Sequence, residues 1–393
     1  MNTIKTQILK TIGIFNDSFP PIMDGVSLTA QNYAYWLHQK NQPVCVVTPH
    51  APNFTDNESY PVYRYSSLPI LGRKPYRLGL PEIDFSFKKA IDKIDFGLVH
   101  AHCPFSSGNA ALRIAKSQKI PLVATFHTKY RDDFEHSVHN KCLAKLMVKN
   151  IIRFYDKADE VWISQPSVEE TIREYGYKGK VELVGIGNDF NTNETYEKIK
   201  MQARKELHIQ EEELVFLFVG QIIWEKNIRL IIESLALIKD IPFKMFFVGS
   251  GYAEDELKEL VTQFGLNSHV EFVGAVPERD RIKQYYAAAD LFLFPSMYDT
   301  WAIVVHEAAA QQTPSVLIAG STIAGIITEN VNGFLTENSK ESIASKLREL
   351  AFNRQLIKDA GLRASQSLSR TWENVADEVL DRYQHLSKRM SVL

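Results

Sequence analysis

The stretch Leu291-Phe292-Leu293-Phe294-Pro295 is followed closely by Asp299-Thr300-Trp301-Ala302-Ile303-Val304-Val305-His306-Glu307. The first run has the length and β-favouring composition of a strand buried on both faces of a parallel sheet. Residues 302–311 favour helix, and Pro314 ends it. One carboxylate therefore falls on the strand-to-helix loop, and the other about one turn into the helix. Between them lie the N–H groups of the helix start, which lack intrahelical partners and attract anions. Carboxylates suit hydroxyls, and N–H groups suit a diphosphate. The pattern predicts a pocket for a nucleotide joined to a sugar.

Outward from this stretch the rhythm continues in both directions. A strand is predicted over 315–318, then helices over 339–351, 354–368 and 372–386. Upstream, strands over 214–220, 243–249 and 270–274 alternate with helices over 228–238, 253–264 and 279–288. An earlier series places strands at 11–15, 44–48, 97–102, 122–126 and 160–163, with helices at 27–39, 107–117, 141–155 and 168–175. This is the βαβ alternation of parallel sheets covered on both faces. Between the two series, Gly185-Ile186-Gly187-Asn188-Asp189 is turn-rich, and residues 191–200 are polar without a hydrophobic period, which reads as a linker. At 393 residues the chain exceeds one ordinary core. The expected architecture is α/β, with two doubly wound, Rossmann-like domains facing across a cleft. They cover 1–185 and 213–371, with a linker over 186–212 and a C-terminal helix over 372–393. Ligands of such sheets bind beyond the carboxyl ends of the strands.

Composition narrows the function. With a net charge of −2 there is no global basic field, so nucleic acid is not an expected partner. Cys45, Cys103 and Cys142 are odd in number and scattered, with no metal spacing or disulfide framework, which fits a reducing compartment. His100 and His102 share one face of a strand, but a zinc site lacks a third ligand at suitable spacing. No apolar run has spanning length, and the N-terminus does not read as a signal peptide. The expectation is a cytoplasmic protein, with peripheral contact at the inner face of the plasma membrane left open. Two features could supply that contact. Arg73-Lys74-Pro75-Tyr76-Arg77 is a basic and aromatic cluster. Lys141, Lys145 and Lys149 recur beside Leu143, Leu146 and Met147, a basic amphipathic helix that can lie on an anionic membrane or present a solvated face.

Seven segments, in order and suitably spaced, carry a resemblance. They are Phe15 to Val26 around Gly25; His100-Ala101-His102 to Ser106; Thr125-Phe126-His127-Thr128; Val219-Gly220-Gln221-Ile222-Ile223-Trp224-Glu225-Lys226-Asn227; Phe247-Val248-Gly249-Ser250-Gly251; residues 270–274; and Asp299 to Glu307. Together they resemble the retaining GT-B glycosyltransferases of family 4 (glycosyl transferases group 1), in the branch that glycosylates lipids or polysaccharides.

The resemblance implies transfer of a hexose from a UDP- or GDP-hexose to a hydroxyl acceptor, with retention, by front-face displacement. It implies no cofactor and no metal, the nucleotide sugar being a substrate. By resemblance, Gly25 lets the backbone approach the diphosphate, and Lys226 neutralises the diphosphate as it leaves. The N–H groups of Ala302, Ile303 and Val304 meet the same group. Glu307 binds the ribose hydroxyls, Asp299 binds the donor hexose, and His127 touches the sugar near the reacting carbon. The acceptor would be a membrane glycolipid acceptor such as diacylglycerol, on the side of Arg73, Lys74, Tyr76, Arg77, Lys141, Lys145 and Lys149. Cell-surface polysaccharide assembly, a non-catalytic nucleotide-sugar binder and a nucleotide-sugar epimerase are the alternatives.

Four residues depart from the family pattern. Gln221 stands where an arginine is usual, which removes a positive charge from the leaving-group site, so that either another cation such as Arg229 or Arg279 compensates or turnover is slower. Asp299 replaces glutamate and is shorter by one CH₂. Trp301-Ala302 replaces Phe-Gly.

Overall fold

The computed structural model describes residues 10–22, 24–70, 75–127, 130, 131, 134, 140–185, 187–190, 195–299 and 302–391. It separates into two compact units, one of residues 1–186 with 372–393, the other of residues 187–371.

In chain order the first unit runs β1 (Thr11–Phe15), α1 (Gly25–Gln39), β2 (Val44–Pro49), β3 (Val62–Tyr65), β4 (Ser67–Pro69), β5 (Arg77–Gly79) and α2 (Phe85–Ile91). It continues with β6 (Phe96–Ala101), α3 (Ser106–Gln118), β7 (Leu122–Phe126), α4 (Lys141–Tyr155), β8 (Glu160–Ile163), α5 (Pro166–Glu174) and β9 (Val181–Leu183). The described strands form a parallel sheet in the order β3-β2-β1-β6-β7-β8-β9, and β4 pairs antiparallel with β5. Every residue of β2 and β7 is buried, as their unbroken apolar runs require. Burying each large apolar side chain in such strands stabilises by about 1.5–3 kcal/mol.

The second unit opens with α6 (Tyr196–Glu206), β10 (Leu214–Val219), α7 (Ile228–Leu235), β11 (Phe243–Val248), α8 (Glu254–Gln263), β12 (Val270–Gly274) and α9 (Arg279–Ala288). There follow β13 (Leu291–Phe294), α10 (Ile303–Ala310), β14 (Ser315–Ile318), β15 (Gly333–Thr336), α11 (Lys340–Ala351) and α12 (Arg354–Leu368). Its parallel sheet has the order β12-β11-β10-β13-β14-β15. The strand order reverses between β10 and β13, and their carboxyl ends form the crevice of a doubly wound sheet.

The last helix, α13 (Trp372–Ser391), belongs to the first unit. Tyr383 stacks on Trp162 at 5.4 Å between centroids, and its hydroxyl lies 2.5 Å from His100 Nδ1. Lys40 pairs with Asp377 at 2.8 Å. Where the chain enters the second unit it meets the segment by which it leaves. The N–H of Asn188 donates to the Arg370 carbonyl at 2.8 Å, its side-chain amide donates to the same oxygen at 3.1 Å, and Asn188 bridges to Thr371.

Within the polar stretch that reads as a linker the structure places helix α6, counted with the second unit. Its hold is both ionic and apolar. Lys200 and Arg204 reach Asp290 at 2.7 and 3.1 Å, and buried Ala203 packs on Ala287 and Ala288, with Ile199 and Leu207 partly buried against the same patch. This apolar row begins only at the end of 191–200, so that polar stretch shows no hydrophobic period. The short strands β3, β4, β5, β9 and β15 and helix α2 are also absent from the sequence-based expectation. Each has seven residues or fewer.

Candidate active site

The loops that follow β10 and β13 bring a cation and an anion together. Lys226, in a turn after β10, forms an ion pair with Asp299, after β13, and both side chains are mostly buried, at 15% and 12% exposure. The ammonium also lies 5.4 Å from the centre of the Phe294 ring. Asp299 Oδ1 takes this contact, whereas Oδ2 is buried with no hydrogen-bond partner among the described residues. The Asp299 N–H and the Tyr298 N–H both lie 3.3 Å from Ser296 Oγ, which shapes the loop.

Beyond Asp299, α10 starts at Ile303. Ala302 is buried at its N-cap and no side chain caps that end among the described residues. Ile303 and Val304 occupy the first turn, so their N–H groups belong to the set that a helix cannot satisfy internally. Thr300 and Trp301 lie outside the described residues. One turn along, Glu307 is only 3% exposed. Arg279 Nη2 donates to its Oε1 at 2.6 Å and the Tyr286 hydroxyl donates to Oε2 at 2.9 Å. Burial pushes the Glu307 carboxyl upward, and the Arg279 charge opposes that shift without cancelling it. Arg279 is itself gripped by Asp189, at 2.5 Å and 3.1 Å, and lies 4.3 Å over the Phe190 ring.

The floor of this region needs glycine. Gly249 has φ of +135°, and a Cβ there would lie 1.9 Å from the Gly220 carbonyl oxygen. At Gly251 a Cβ would meet the Ile222 carbonyl oxygen at 2.3 Å. The ends of β10 and β11 thus touch backbone to backbone. Gln221 is exposed at the end of β10. Arg229 does not supply the missing charge beside it. Its guanidinium lies over Trp224 at 5.5 Å and pairs with Glu233 at 3.7 Å.

The remaining expected residues lie in the first unit. Gly25 is the first residue of α1, and Asp24 caps that helix by accepting the Ser27 N–H at 2.7 Å. A carboxylate thus already occupies part of this helix start. His127 follows β7 and is buried, with Nε2 3.0 Å from His102 Nδ1 and the two rings stacked. His102 stacks in turn on His100 at 4.2 Å, and His100 Nε2 meets Thr125 Oγ1 at 2.7 Å. Burial pushes His127 down to about 3 and holds His100 and His102 well below the ordinary imidazole range. The stack is neutral, and a hydrogen-bonding role suits it better than a cationic one.

Arg73 and Lys74 lie outside the described residues. Arg77 folds back on its own hairpin, donating to Ser67 Oγ and O at 2.7 and 3.0 Å, and Tyr76 donates to Asp24 at 3.1 Å. Lys141, Lys145 and Lys149 are exposed on α4, as are Leu143 and Leu146. Among the described residues no group of His, Cys, Asp or Glu is arranged to hold a metal ion. No described helix is long and apolar enough to cross a membrane. Asp189 and Tyr286 are not legible in these roles from the sequence, because their partners Arg279 and Glu307 stand 90 and 21 residues away and no local spacing announces them.

Two Rossmann-like units, one carrying a buried ion pair at its strand-order reversal, are the architecture of the GT-B fold. Family models agree. Residues 199–366 match "Glycosyl transferases group 1" and residues 23–191 match "Glycosyltransferase Family 4". The chain belongs to the family 4 glycosyltransferases. It is 25% identical over 333 residues to the alpha-monoglucosyldiacylglycerol synthase of Streptococcus pneumoniae, covering 82% of this chain and 74% of that protein. It is 26% identical over 363 residues to the enzyme of the same name from Acholeplasma laidlawii, covering 88% and 89%. Among solved structures, Anabaena HepE in complex with UDP and glucose superposes with a TM-score of 0.74 at 18% identity, covering 96% of this chain and 99% of that one.

Proposed function

We propose that this glycosyltransferase moves a hexose from a nucleotide-diphosphate sugar to a hydroxyl of a membrane lipid, with retention at the anomeric carbon. The observation that carries the donor half is the Lys226–Asp299 pair, whose Asp299 Oδ2 is a buried acceptor without a partner among the described residues. A buried carboxylate oxygen left unmatched is costly, and a sugar hydroxyl would satisfy it. Lys226 and the N–H groups of Ala302, Ile303 and Val304 would receive the diphosphate, and Glu307 the ribose hydroxyls. That HepE was solved with UDP and glucose supports this reading. Gln221 would add a neutral hydrogen bond to the phosphates, and Gly25 would leave the backbone room beside them.

In the proposed chemistry the glycosidic C–O bond to the diphosphate lengthens while the acceptor oxygen approaches the same face. The acceptor proton passes to the departing diphosphate. Lys226 and the helix N–H groups take up the developing negative charge, so the step calls for no further cation. His127, held neutral, would hydrogen-bond the hexose near the reacting carbon.

The acceptor half rests on the names of two relatives, both alpha-monoglucosyldiacylglycerol synthases, and on the α4 face where exposed Leu143 and Leu146 alternate with Lys141, Lys145 and Lys149. Such a face suits peripheral binding to an anionic leaflet. Tyr76 and Arg77 would serve the same acceptor side. The test is incubation of the pure protein with radiolabelled UDP-hexoses and GDP-hexoses and vesicles containing diacylglycerol, in the presence and absence of a chelator. Radiolabelled glycolipid with the donor's anomeric configuration is the expected product, and Glu307→Ala should abolish it. Nucleotide-sugar binding with no transfer would overturn the proposal in favour of a non-catalytic binder.

A further inference from the structure

Glu307 is held by a fork. Arg279 and Tyr286, both on α9, stand seven residues apart, about two turns of one helix face. Each donates to a different carboxylate oxygen, at 2.6 and 2.9 Å. Each oxygen of an ionised carboxylate has two lone-pair sites, so one on each remains for another donor. One remaining lone pair on each oxygen of a carboxylate so held matches two adjacent hydroxyls.

Arg279 is placed for this task rather than for filling the core. Its side chain is 43% exposed, yet it is clamped on its other side by both oxygens of Asp189 and by the Phe190 ring. A long side chain held from two sides has already lost the freedom that binding would otherwise remove. Building on the reading that Glu307 receives the ribose, we infer that Arg279 is a positioning residue for the nucleotide, aiming the Glu307 carboxylate at the ribose diol while Asp189 and Phe190 aim Arg279.

Charge follows the same geometry. The groups that reach Glu307 are Arg279 and Tyr286 from α9 and Asp189 from the segment entering the unit. β13 and β14 carry no titratable side chain, and His306 on α10 gives Nδ1 to the Leu368 carbonyl at 2.7 Å. Arg354, Lys358, Asp359 and Arg363 of α12 form no ion pair with Glu307 among the described residues. Arg279 is thus the cation that opposes the upward pull of burial on the Glu307 carboxyl. Without it, Glu307 takes up a proton at higher pH and loses an acceptor.

The experiment measures binding of UDP, GDP and their 2′-deoxy counterparts by calorimetry across pH, in the wild type, Arg279→Gln, Arg279→Lys and Glu307→Gln. The wild type should prefer the ribonucleotide. Arg279→Gln should lose roughly ten- to a hundredfold in ribonucleotide affinity, with a smaller loss for the deoxy form. Its acid limb should move to higher pH, and Arg279→Lys should restore the limb but only part of the ribose preference. A ligand-free melting curve close to that of the wild type shows that each variant is folded. Unchanged affinity and an unmoved acid limb in both Arg279 variants, with Glu307→Gln impaired, would overturn the role of Arg279 alone. An unaltered ribose preference in Glu307→Gln would overturn the ribose reading as well.

Discussion

Lys226 and Asp299 lie 73 residues apart in sequence and neutralise each other at the strand-order reversal of the second sheet. The pair explains how a buried carboxylate is tolerated before any ligand arrives. On the proposed function, a diphosphate would compete with Asp299 for the ammonium and free Asp299 for hydroxyls.

Breaking this pair should separate stability from binding. Lys226→Ala leaves Asp299 without its counter-charge and should cost about 3 kcal/mol in denaturant unfolding. It should also weaken UDP or GDP by roughly tenfold or more while leaving the bare nucleoside unaffected. Lys226→Met combined with Asp299→Asn should recover most of the stability but none of the diphosphate affinity. Equal losses for nucleoside and diphosphate would show that the phosphates lie elsewhere.

The histidine stack predicts acid sensitivity. Burial lowers His127 to about 3 in the folded chain, below the ordinary value near 6.5 expected when unfolded. Between those values the unfolded chain binds a proton that the folded chain refuses. Its stabilising contribution is therefore full above about pH 6.5 and is lost as pH falls below it, by about 2 kcal/mol between pH 7 and 5. His102, also held low by burial first and then by its histidine neighbours, adds in the same direction. Chemical denaturation at the two pH values checks this, and a His127→Gln variant should flatten the difference.

Tyr383→Phe should destabilise the first unit. It removes the hydroxyl 2.5 Å from His100 Nδ1 and strands a buried ring nitrogen, a loss of about 1–3 kcal/mol. Thermal melting measures the loss, and faster proteolysis within α13 should accompany it. A melting point identical to that of the wild type would mean that the stacking of Tyr383 on Trp162, not the hydrogen bond, anchors the helix.

Gly249→Ala should abolish soluble protein or donor binding, because the Gly220 carbonyl would lie 1.9 Å from the new Cβ and neither backbone can yield. Gly265→Ala is the control. It has φ of +65° but open space around it, and should cost only about 1–2 kcal/mol. Expression, melting temperature and nucleotide binding of the two variants decide the matter.

The strands most legible in the sequence are those buried along their whole length, such as Leu122–Phe126, Leu214–Val219 and Leu291–Phe294. Edge elements other than Val270–Gly274 escaped because their signal is short or mixed. β3 has four residues, three of them half-buried. α6 escaped because Asp290, far along the chain, is what holds Lys200 and Arg204. The same limit applies to the candidate site. Lys226, Asp299 and Glu307 stand at positions that strand-to-loop logic can mark. Asp189, Arg279 and Tyr286 gain their meaning only when folding brings them to one carboxylate.

The bonds from Asn188 to Arg370 and Thr371 carry a consequence for synthesis. They join the two ends of 187–371, so this portion is expected to fold when produced by itself as a cassette. Its companion is built from 1–186 and 372–393, two stretches that the whole of 187–371 separates. During synthesis 187–371 therefore precedes Trp372 and Tyr383, and the first unit lacks α13 until the second has been made.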